Sequence, residues 1–471
     1  MPAFLIVRTL LLSLFCGAAS LAQRPAANSD PPSTFALRGA LIFPSSVVSS
    51  GLVLVRDGII VASGDRVELP PGVPVIDTGG IIAPGLIDLH NHLSWNVFPR
   101  WKPAGEFGNR YDWQQKPIYQ TTVEAPHAGL VRDGFECDME RYAEVKALTE
   151  GETSVVGSLH QTCSNGLARN LDLPGPTNPI PRLEYDVFPL QMPDGEVARV
   201  RDALATGQLD ALLIHLAEGA PDDAASAREF TMLKGRGLLV PGVSLIHAVA
   251  LKPADFAEMA KNHVGFIWSP RSNLELYGDT ADVFAALKAG VTIALAPDWS
   301  ITGSDGLLAE LNFAAAWNDA HGRIFTDRQL VDLATRNAAA MAGESAHLGS
   351  LDPGHTADLL VLAPPRAQSP SDPAAPTHDP LWTLLHAAPT QVSLVVVNGR
   401  PVYGKPDLLR RLTHAPTEEI SVCGISEALV LTGPHGQADA SDKSWAASSA
   451  TLSAALAQYG RKLAPISECG Q

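Results

Sequence analysis

The sequence predicts an α/β fold: a (β/α)8 or TIM barrel joined to a small β-sandwich domain built from both chain ends. In residues 84–345, strand-like apolar runs alternate with helix-like stretches, and this stretch has about the 250 residues that such a barrel needs. Short β-branched runs split by Gly, Pro and Asp lie on either side of it. A doubly wound sheet is the alternative, but the sequence has no Gly-rich phosphate loop to favour it.

The first segment reads as an export signal followed by a linker. Arg8 precedes the apolar run TLLLSLFCGAASLA, which has small residues at Ser20 and Ala22. This is the pattern of a signal peptide over 1–22, and the run is too short to span a membrane. Residues 23–34 are polar and Pro-rich, as expected of a linker. The mature protein is therefore predicted to be exported, to the periplasm or the extracellular space, with no membrane span.

The rest of the chain divides into segments that differ in their pattern of apolar residues. We expect the first part of the β-sandwich at 35–83 and the barrel at 84–345. The second β part is expected at 346–405. A C-terminal extension at 406–471 contains one helical run, DKSWAASSATLSAALAQYGRKL.

Charge and composition exclude some partners. Of the 471 residues, 46% are hydrophobic, the formal net charge is −16, and no long basic run occurs. Nucleic acid and an anionic membrane surface are therefore not expected as partners.

Four cysteines remain after the predicted cleavage: Cys137, Cys163, Cys423 and Cys469. Their spacing is not of the metal-binding CxxC type, and an oxidising compartment permits disulfides. We favour a bond between Cys423 and Cys469, which would tie down the tail, over four buried free thiols.

The segment PGLIDLHNHLS contains the first candidate site residues, His90 and His92. Positions i and i+2 of a strand face the same side, about 6–7 Å apart, so both imidazoles can contact one metal ion. Polar and aromatic sequence follows the pair, which places it at the carboxyl end of a strand, the active-site face of a barrel.

Three further strand-like runs end in residues suited to the same chemistry. DALLIHLAEG ends with His215, and Glu218 follows three residues later. PGVSLIHAV ends with His247, and VTIALAPDWS ends with Asp298. A lone histidine after an apolar run is more often a core residue, but four such endings together indicate a site.

These motifs resemble the amidohydrolase superfamily. IIAPGLIDLHNH resembles its first metal motif, and HLAEG resembles the HxxE motif of the branch that contains cytosine and S-adenosylhomocysteine deaminases and triazine hydrolases. SPRSNLELYG, ATRNAAAMAGESAHLGSLDPGHTADLLVL and VVVNGRPVYG resemble later segments of that branch. The resemblance covers roughly residues 35–405 and implies the barrel, the β-sandwich and, often, a homo-oligomer.

The resemblance also implies residue roles. One divalent ion, zinc first with iron or manganese as alternatives, is held by His90, His92, His215 and Asp298. His247 hydrogen-bonds the metal-bound water, and Glu218 carries a proton to the leaving nitrogen. Asp298 also accepts a proton from that water. The implied reaction is hydrolysis of a non-peptide C–N bond of a small-molecule substrate by metal-bound hydroxide, in a deaminase-like reaction. The implied catalytic residues are Glu218, His247 and Asp298.

Six residues are candidates for substrate binding: Trp95, His160, Arg169, Trp268, Ser272 and Asn273. Each has a plainer interpretation. The tryptophans can be packing residues, His160 can be a hydrogen-bonded rim residue, and Arg169 can form a structural ion pair. Ser272 and Asn273 can simply hold a loop.

The sequence departs from the family pattern at two places. Trp268 stands where a histidine is common, and Ala296-Pro297 stands where Gly-Thr is common. YDVFPL also lacks a lysine that could bridge two metals. Two alternative functions stay open: a binuclear hydrolase of dipeptides, lactams or esters, and a catalytically inactive binding or assembly module.

Overall fold

The computed structural model describes residues 34–159, 167–175, 177–364, 379–430 and 444–469. The predicted signal peptide, all but the last residue of the linker, His160 and Cys163 lie outside these ranges.

The strands are numbered in chain order. They are β1 Phe35–Ile42, β2 Val47–Arg56, β3 Ile59–Gly64, β4 Val75–Pro84, β5 Leu86–Ile87, β6 Glu152–Val155, β7 Arg169–Asn170, β8 Leu183–Asp186, β9 Ala211–Leu216, β10 Val243–His247, β11 Gly265–Trp268, β12 Ile293–Leu295, β13 Leu359–Leu362, β14 Val392–Val397, β15 Arg400–Gly404, β16 Thr417–Val422 and β17 Ile425–Val430.

The helices are numbered in the same way. They are α1 Arg110–Gln114, α2 Pro117–Tyr119, α3 Ala125–Arg132, α4 Glu136–Thr149, α5 Asp194–Thr206, α6 Ala224–Gly235, α7 Pro253–Lys261, α8 Pro270–Tyr277, α9 Val283–Ala289, α10 Leu307–Ala320, α11 Asp327–Leu333, α12 Arg336–Met341, α13 Pro380–Leu385, α14 Pro406–Leu412 and α15 Trp445–Gln458. A π-helical turn, Gln120–Glu124, connects α2 to α3. No helix among the described residues is long and apolar enough to cross a lipid bilayer.

Strands from the two ends of the chain form one nine-stranded sheet, in the order β16-β17-β15-β14-β13-β4-β1-β2-β3. The antiparallel pairing of β4 with β13 joins the two halves. The predicted extension thus differs from expectation: besides the predicted helix, seen as α15, it contributes α14 and the hairpin β16–β17.

Successive side chains along these strands point to opposite faces of the sheet, and both faces are apolar. Ile82, Val361 and Val396 belong to a cluster formed within the sheet and the elements next to it. Ile81 and Leu360, their neighbours in sequence, belong instead to the large cluster that contains apolar side chains of β9, β10 and β11. The nine-stranded sheet and the parallel strands are therefore packed together through a shared core.

The middle of the chain contains eight parallel strands in two sheets, β5-β6-β7 and β8-β9-β10-β11-β12. Helices α4 to α9 lie between many of them in sequence, so the predicted parallel α/β arrangement is confirmed. A parallel bridge between Asn91 and Asp298 joins the ends of β5 and β12. The carboxyl ends of the first and last strands thereby meet.

The C-terminal tail packs beside these strand ends. Leu452 and Leu456 of α15 share an apolar cluster with Val97 and Trp299. The predicted disulfide Cys423–Cys469 is confirmed. Next to it, Glu468 pairs with two arginines, Arg100 at 2.9 Å and Arg271 at 3.2 Å. Cys137 is disulfide-bonded as well.

Candidate metal centre and active site

Four predicted ligands meet at the carboxyl ends of three parallel strands. The Nε2 atom of His90 lies 3.1 Å from Nε2 of His215, which lies 3.3 Å from Nε2 of His92. Oδ1 of Asp298 lies 3.2 Å from Nε2 of His90 and 3.4 Å from that of His92. The four atoms therefore form a closed ring of short distances around a common centre.

This ring fits a metal ion. Zinc binds imidazole nitrogen at about 2.0–2.1 Å, so two ligands of a tetrahedral site lie about 3.4 Å apart. The observed distances of 3.1–3.4 Å match that spacing. Nitrogen and oxygen donors of this kind suit zinc and neighbouring transition metals.

Burial keeps the ligand histidines neutral. It is the main cause that lowers the pKa of His90, His92 and His215 below the usual value, with neighbouring imidazoles adding to the effect for His90 and His215. The second nitrogen, Nδ1, of His90 lies 2.7 Å from Oγ of Ser269, and that of His215 lies 3.4 Å from a backbone carbonyl. These partners orient both rings and leave Nε2 free to bind a metal.

Asp298 is held by hydroxyl groups. Ser272 Oγ donates to Asp298 Oδ2 at 2.6 Å, and Oγ1 of Thr302 lies 2.9 Å from that hydroxyl. Burial raises the pKa of Asp298, while His247, His92 and the Ser272 hydrogen bond act against this rise. The other carboxylate oxygen, Oδ1, therefore faces the histidines.

A chain of buried amides joins the loops that contain the ligands. Asn91 Nδ2 donates to Asp88 Oδ2 at 2.6 Å, and Asn96 Nδ2 donates to Asn91 Oδ1 at 2.8 Å. Asn96 Oδ1 in turn accepts from the backbone N–H of Ser300 at 2.8 Å. Since Ser300 lies two residues after Asp298, this chain fixes the distance between the first and last ligand loops.

Two of the candidate residues have left-handed backbone conformations. The φ angle is 69° at His247 and 72° at Asp298. Non-glycine residues rarely adopt this region, and such strain is concentrated at functional sites. At both residues the left-handed backbone turns the chain sharply after the strand, so that the side chain faces the cavity.

The predicted acid–base residue Glu218 has three polar neighbours. Tyr277 donates its hydroxyl to Glu218 Oε1 at 2.7 Å. Oε2 lies 3.5 Å from Nη1 of Arg110 and 3.6 Å from Nε2 of His247. Burial and Glu218 itself raise the pKa of Tyr277 well above its usual value, so this hydroxyl stays a donor.

His247 is supported from behind by Asn273. Nδ1 of His247 lies 2.8 Å from Oδ1 of Asn273, whose amide nitrogen donates to Thr280 at 3.2 Å. Because the amide oxygen can only accept, Nδ1 carries the proton and Nε2 faces the cavity as an acceptor. One ring nitrogen of His247 also lies within 4.8 Å of a ring nitrogen of His90 and of one of His215, which lie within the same distance of each other.

The site opens into a cavity of about 450 Å³. Its walls are aromatic, acidic and imidazole side chains with some amides and valine: His92, Trp95, Trp113, Gln114, Tyr119, Gln120, Glu124, Val187, Phe188, His215, Glu218, His247, Asp298 and Trp299. Of the candidates for substrate binding, Trp95 lines this cavity, and its ring stacks on His127 at 3.6 Å. His160 lies outside the described residues.

Two predictions of substrate-binding residues are wrong. Trp268 is fully buried and packs on Trp317 and Phe325. Strand alternation explains this, because Trp268 faces the helices while Ser269 faces the site. Arg169 forms an ion pair with Asp358, Nη2 to Oδ1 at 3.1 Å, which is the structural role that the sequence had offered as its alternative.

Ser272 and Asn273 are buried and reach the site only through Asp298 and His247. They hold catalytic candidates in place and do not line the cavity as substrate-binding residues. The plainer of the two sequence interpretations, in which they hold local structure, is the better description.

Sequence reasoning missed several residues around the cavity. Arg110 and Tyr277 contact Glu218, while Trp113, Tyr119 and Glu124 form part of the wall. Four of these come from the segment between β5 and α4, whose richness in aromatic and amide residues was the available signal. Tyr277 is the penultimate residue of the SPRSNLELYG motif that had already been singled out.

The arrangement defines a class of site: a cluster of side chains that could hold a metal ion, with a carboxylate–imidazole pair beside it. The amidohydrolase family model matches residues 147–403, more than half of the chain. The chain belongs to the amidohydrolase family, and the predicted resemblance is confirmed.

The curated relatives support the predicted branch. A 5-methylthioadenosine/S-adenosylhomocysteine deaminase of Symbiobacterium thermophilum is 23% identical over 424 residues, covering 78% of this chain and 93% of the relative. The deaminase of the same name from Moorella thermoacetica is 26% identical over 407 residues, covering 77% and 92%. The prediction of a family of hydrolases that act on non-peptide C–N bonds is confirmed by these relatives.

Solved structures share the fold. A zinc-bound adenosine deaminase from Xanthomonas campestris has a TM-score of 0.62 and 20% identity, covering 79% of this chain and 93% of that one. An Escherichia coli guanine deaminase has a TM-score of 0.63 and 19% identity, covering 79% and 99%. An atrazine chlorohydrolase from Arthrobacter aurescens, complexed with zinc, has a TM-score of 0.59 and 20% identity, covering 78% and 95%.

Proposed function

We propose that this protein is a metal-dependent hydrolase that cleaves a non-peptide C–N bond of a small molecule, with deamination as the main reaction. The observation that carries the proposal is the ring of His90, His92, His215 and Asp298 beside Glu218, at the base of the cavity. The names of the relatives, which are deaminases of adenine-containing compounds, support the choice of reaction.

We propose further that the eight parallel strands close into a (β/α)8 barrel over 84–345. The Asn91–Asp298 bridge between the first and last strands supports closure on one side. The nine-stranded sheet would then be the second domain, drawn from 35–83 and 346–405 and extended by β16 and β17. The site lies where barrel enzymes place it, at the carboxyl ends of the strands.

The metal proposal is one divalent ion, with zinc first. His90, His92, His215 and Asp298 would hold it, since neighbouring donor atoms around their ring lie 3.1–3.4 Å apart, as two ligands of one zinc ion do. When bound, such an ion would supply Lewis acidity, which makes water a nucleophile at neutral pH. Two of the similar solved structures, the adenosine deaminase and the atrazine chlorohydrolase, contain zinc, which supports the choice.

Glu218 moves the proton in this proposal. Its Oε2 atom faces the cavity, where it can take a proton from the attacking water and give it to the leaving nitrogen. Tyr277 and Arg110 fix the carboxylate in one orientation by a hydrogen bond and an ion pair. His247 would orient the water through Nε2, and Asp298 would accept a proton as well as bind metal.

We propose that the mature protein is exported, with 1–22 as the signal peptide. That segment lies outside the described residues. The Cys423–Cys469 disulfide supports export, because disulfides persist in oxidising compartments.

Glu218→Gln tests the function. The variant keeps shape and all metal ligands but cannot carry the proton, so we expect wild-type metal content and turnover slower by about 10²–10⁴. Elemental analysis gives the metal-to-protein ratio, and ammonia release from a panel of aminated heterocycles gives turnover.

Glu275→Gln is the matched control, since Glu275 is half-buried and lies outside the cavity lining. Full activity in Glu218→Gln would refute the proton transfer. A wild-type ratio near two ions per chain would refute the mononuclear site and direct the search to dipeptide, lactam or ester substrates.

A further inference from the structure

One part of the cavity lining is aromatic and differs in chemistry from the polar cluster of the candidate metal site. Four rings, Trp95, Trp113, Tyr119 and Trp299, line it, and we call them the aromatic wall. Trp113 lies 5.0 Å from Tyr119 and 5.7 Å from Trp299 between ring centroids, and Trp95 lies 5.8 Å from Trp299. These distances are those of rings in contact, so the wall is continuous.

A carboxylate stands within this wall. Glu124 lines the cavity and accepts a hydrogen bond from Tyr119, OH to Oε2 at 3.3 Å. Burial and Glu124 raise the pKa of Tyr119 far above its usual value, so the hydroxyl is a neutral donor and leaves the charge of Glu124 unbalanced. The side chain of Glu124 is only partly exposed.

The other two carboxylates of the cavity have cationic partners by contrast. Glu218 faces Arg110, and Asp298 belongs to the metal ligands. Arg110 itself is committed, since Nη1 also donates to the Val187 carbonyl at 2.7 Å. No lysine or arginine occurs among the cavity-lining side chains of the described residues.

The backbone beneath Glu124 is unusual. Residues Gln120–Glu124 form a π-helical turn between α2 and α3. Such turns are rare and are frequently found at functional sites, because they shift side chains relative to an α-helix. Here the turn lets Tyr119, Gln120 and Glu124 line the same cavity.

We propose that the aromatic wall and Glu124 bind an organic cation, an alkylammonium group on the part of the substrate remote from the scissile C–N bond. Aromatic faces attract such cations through the ring quadrupole, and groups of rings recognise quaternary ammonium ligands. Glu124 adds a full charge in a partly desolvated place, where it attracts more strongly than in bulk water. The proposal depends on the proposed function only in calling the ligand a substrate.

The test compares two probes on the metal-loaded protein by isothermal titration calorimetry. Choline carries the trimethylammonium group, and 3,3-dimethylbutan-1-ol is its neutral isostere. We expect choline to bind at least about tenfold more tightly than the isostere, within the range of a desolvated cation–π contact. Glu124→Gln should remove most of that preference while leaving binding of the isostere unchanged.

Glu106→Gln is the matched control, because Glu106 is exposed and lies outside the cavity lining. Near-ultraviolet circular dichroism checks that each variant is folded. Equal binding of both probes, or an undiminished preference for choline in Glu124→Gln, would overturn the proposal in favour of a wall for neutral rings. Probe binding needs no turnover, so failure of the proposed hydrolysis would leave this result unaffected.

Discussion

At the scale of single residues, His247 is the side chain whose role most needs a measurement. Its Nε2 atom lies 3.6 Å from Glu218, yet its ring also belongs to a group of ligand-type atoms with His90 and His215. If it orients water and does not bind metal, His247→Gln should keep the ion and lose turnover by about 10²-fold. Elemental analysis and ammonia release measure the two effects.

The comparison variant for that prediction is His215→Ala, which removes a member of the ligand ring and should empty the site. Loss of metal in both variants would make His247 a fifth ligand and contradict its assignment to water.

Glu310 gives a prediction about pH and stability. Burial raises the pKa of this carboxyl from 4.5 to about 7, although Ser304 and the Arg271 backbone donate hydrogen bonds to it. A raised folded-state pKa contributes stability that is complete below about pH 4.5 and is lost as pH rises through 7. Between pH 5 and 8 the wild type should therefore lose about 3 kcal/mol of unfolding free energy relative to Glu310→Gln.

Urea unfolding at the two pH values measures that difference. Because the other titrating groups are shared, subtracting the variant isolates the titration of Glu310 together with its coulombic effect on Asp88. Parallel pH dependence in the two proteins would contradict a carboxyl held protonated in the fold.

The predicted site residues that the structure brings together share one property: each lies at or just after the end of a strand. His90, His215 and His247 could be placed because an apolar run has a definite end and a definite facing. Arg110 and Glu124 could not, since they come from irregular sequence whose path depends on tertiary packing. The prediction for Trp268 failed because a shift of one residue along a strand moves the side chain to the opposite face of the sheet.

At the scale of elements, two features hold the C-terminal tail on the rest of the protein: packing of α15 and a disulfide bond. α15 packs on apolar residues near the cavity wall, and Cys469 is bonded to Cys423 across a separation of 46 residues. Closing a loop of that length lowers the entropy of the unfolded chain, which corresponds to about 2–4 kcal/mol of stability.

Replacing both Cys423 and Cys469 by serine should therefore lower the melting temperature and speed tryptic cleavage after Arg461 and Lys462. Wild-type protein treated with a reductant should behave like the double variant, and a control such as Ser453→Ala, at an exposed position of α15, should not. Unchanged cleavage in the double variant would mean that packing of α15 alone holds the tail.

The hairpin β16–β17 shows why element prediction from sequence was incomplete. Its turn has Cys423 at φ 50° and Gly424 at φ 78°, the left-handed pair of a tight hairpin turn. Cys-Gly is not the usual Asn-Gly or Asp-Gly signal, so the hairpin was missed. The helix α15, with its long run of small and apolar residues, was visible.

At the scale of the whole molecule, the metal proposal predicts a large effect on stability. Three imidazoles, of which that of His92 is half-buried, lie beside one carboxylate in the folded protein. A ligand that binds only the folded state stabilises it. At a free ion concentration 1,000 times the dissociation constant, the gain is about 4 kcal/mol.

Removing the ion with a chelator should lower the melting temperature, and adding zinc back should restore it. In the metal-deficient His215→Ala variant, the same treatment should have little effect. A chelator that leaves the wild-type melting temperature unchanged would contradict a tightly held ion.

The two-part architecture was predictable because composition changes twice along the chain. Short β-branched runs near both termini indicated one sheet, and alternation in the middle indicated parallel strands. The order of strands in that sheet was not predictable, since β4 pairs with β13 across the whole middle segment. Pairing over such a distance leaves no local signal.

That pairing has a consequence for synthesis on the ribosome. β4 ends at Pro84 and its partner β13 begins at Leu359, so the partner leaves the exit tunnel about 275 residues later. At about 5–20 residues per second, the delay is on the order of half a minute. During that time the β4 edge has apolar side chains and unpaired backbone groups, the features that promote aggregation. A nascent chain stalled within the middle segment is thus the species that most needs a chaperone.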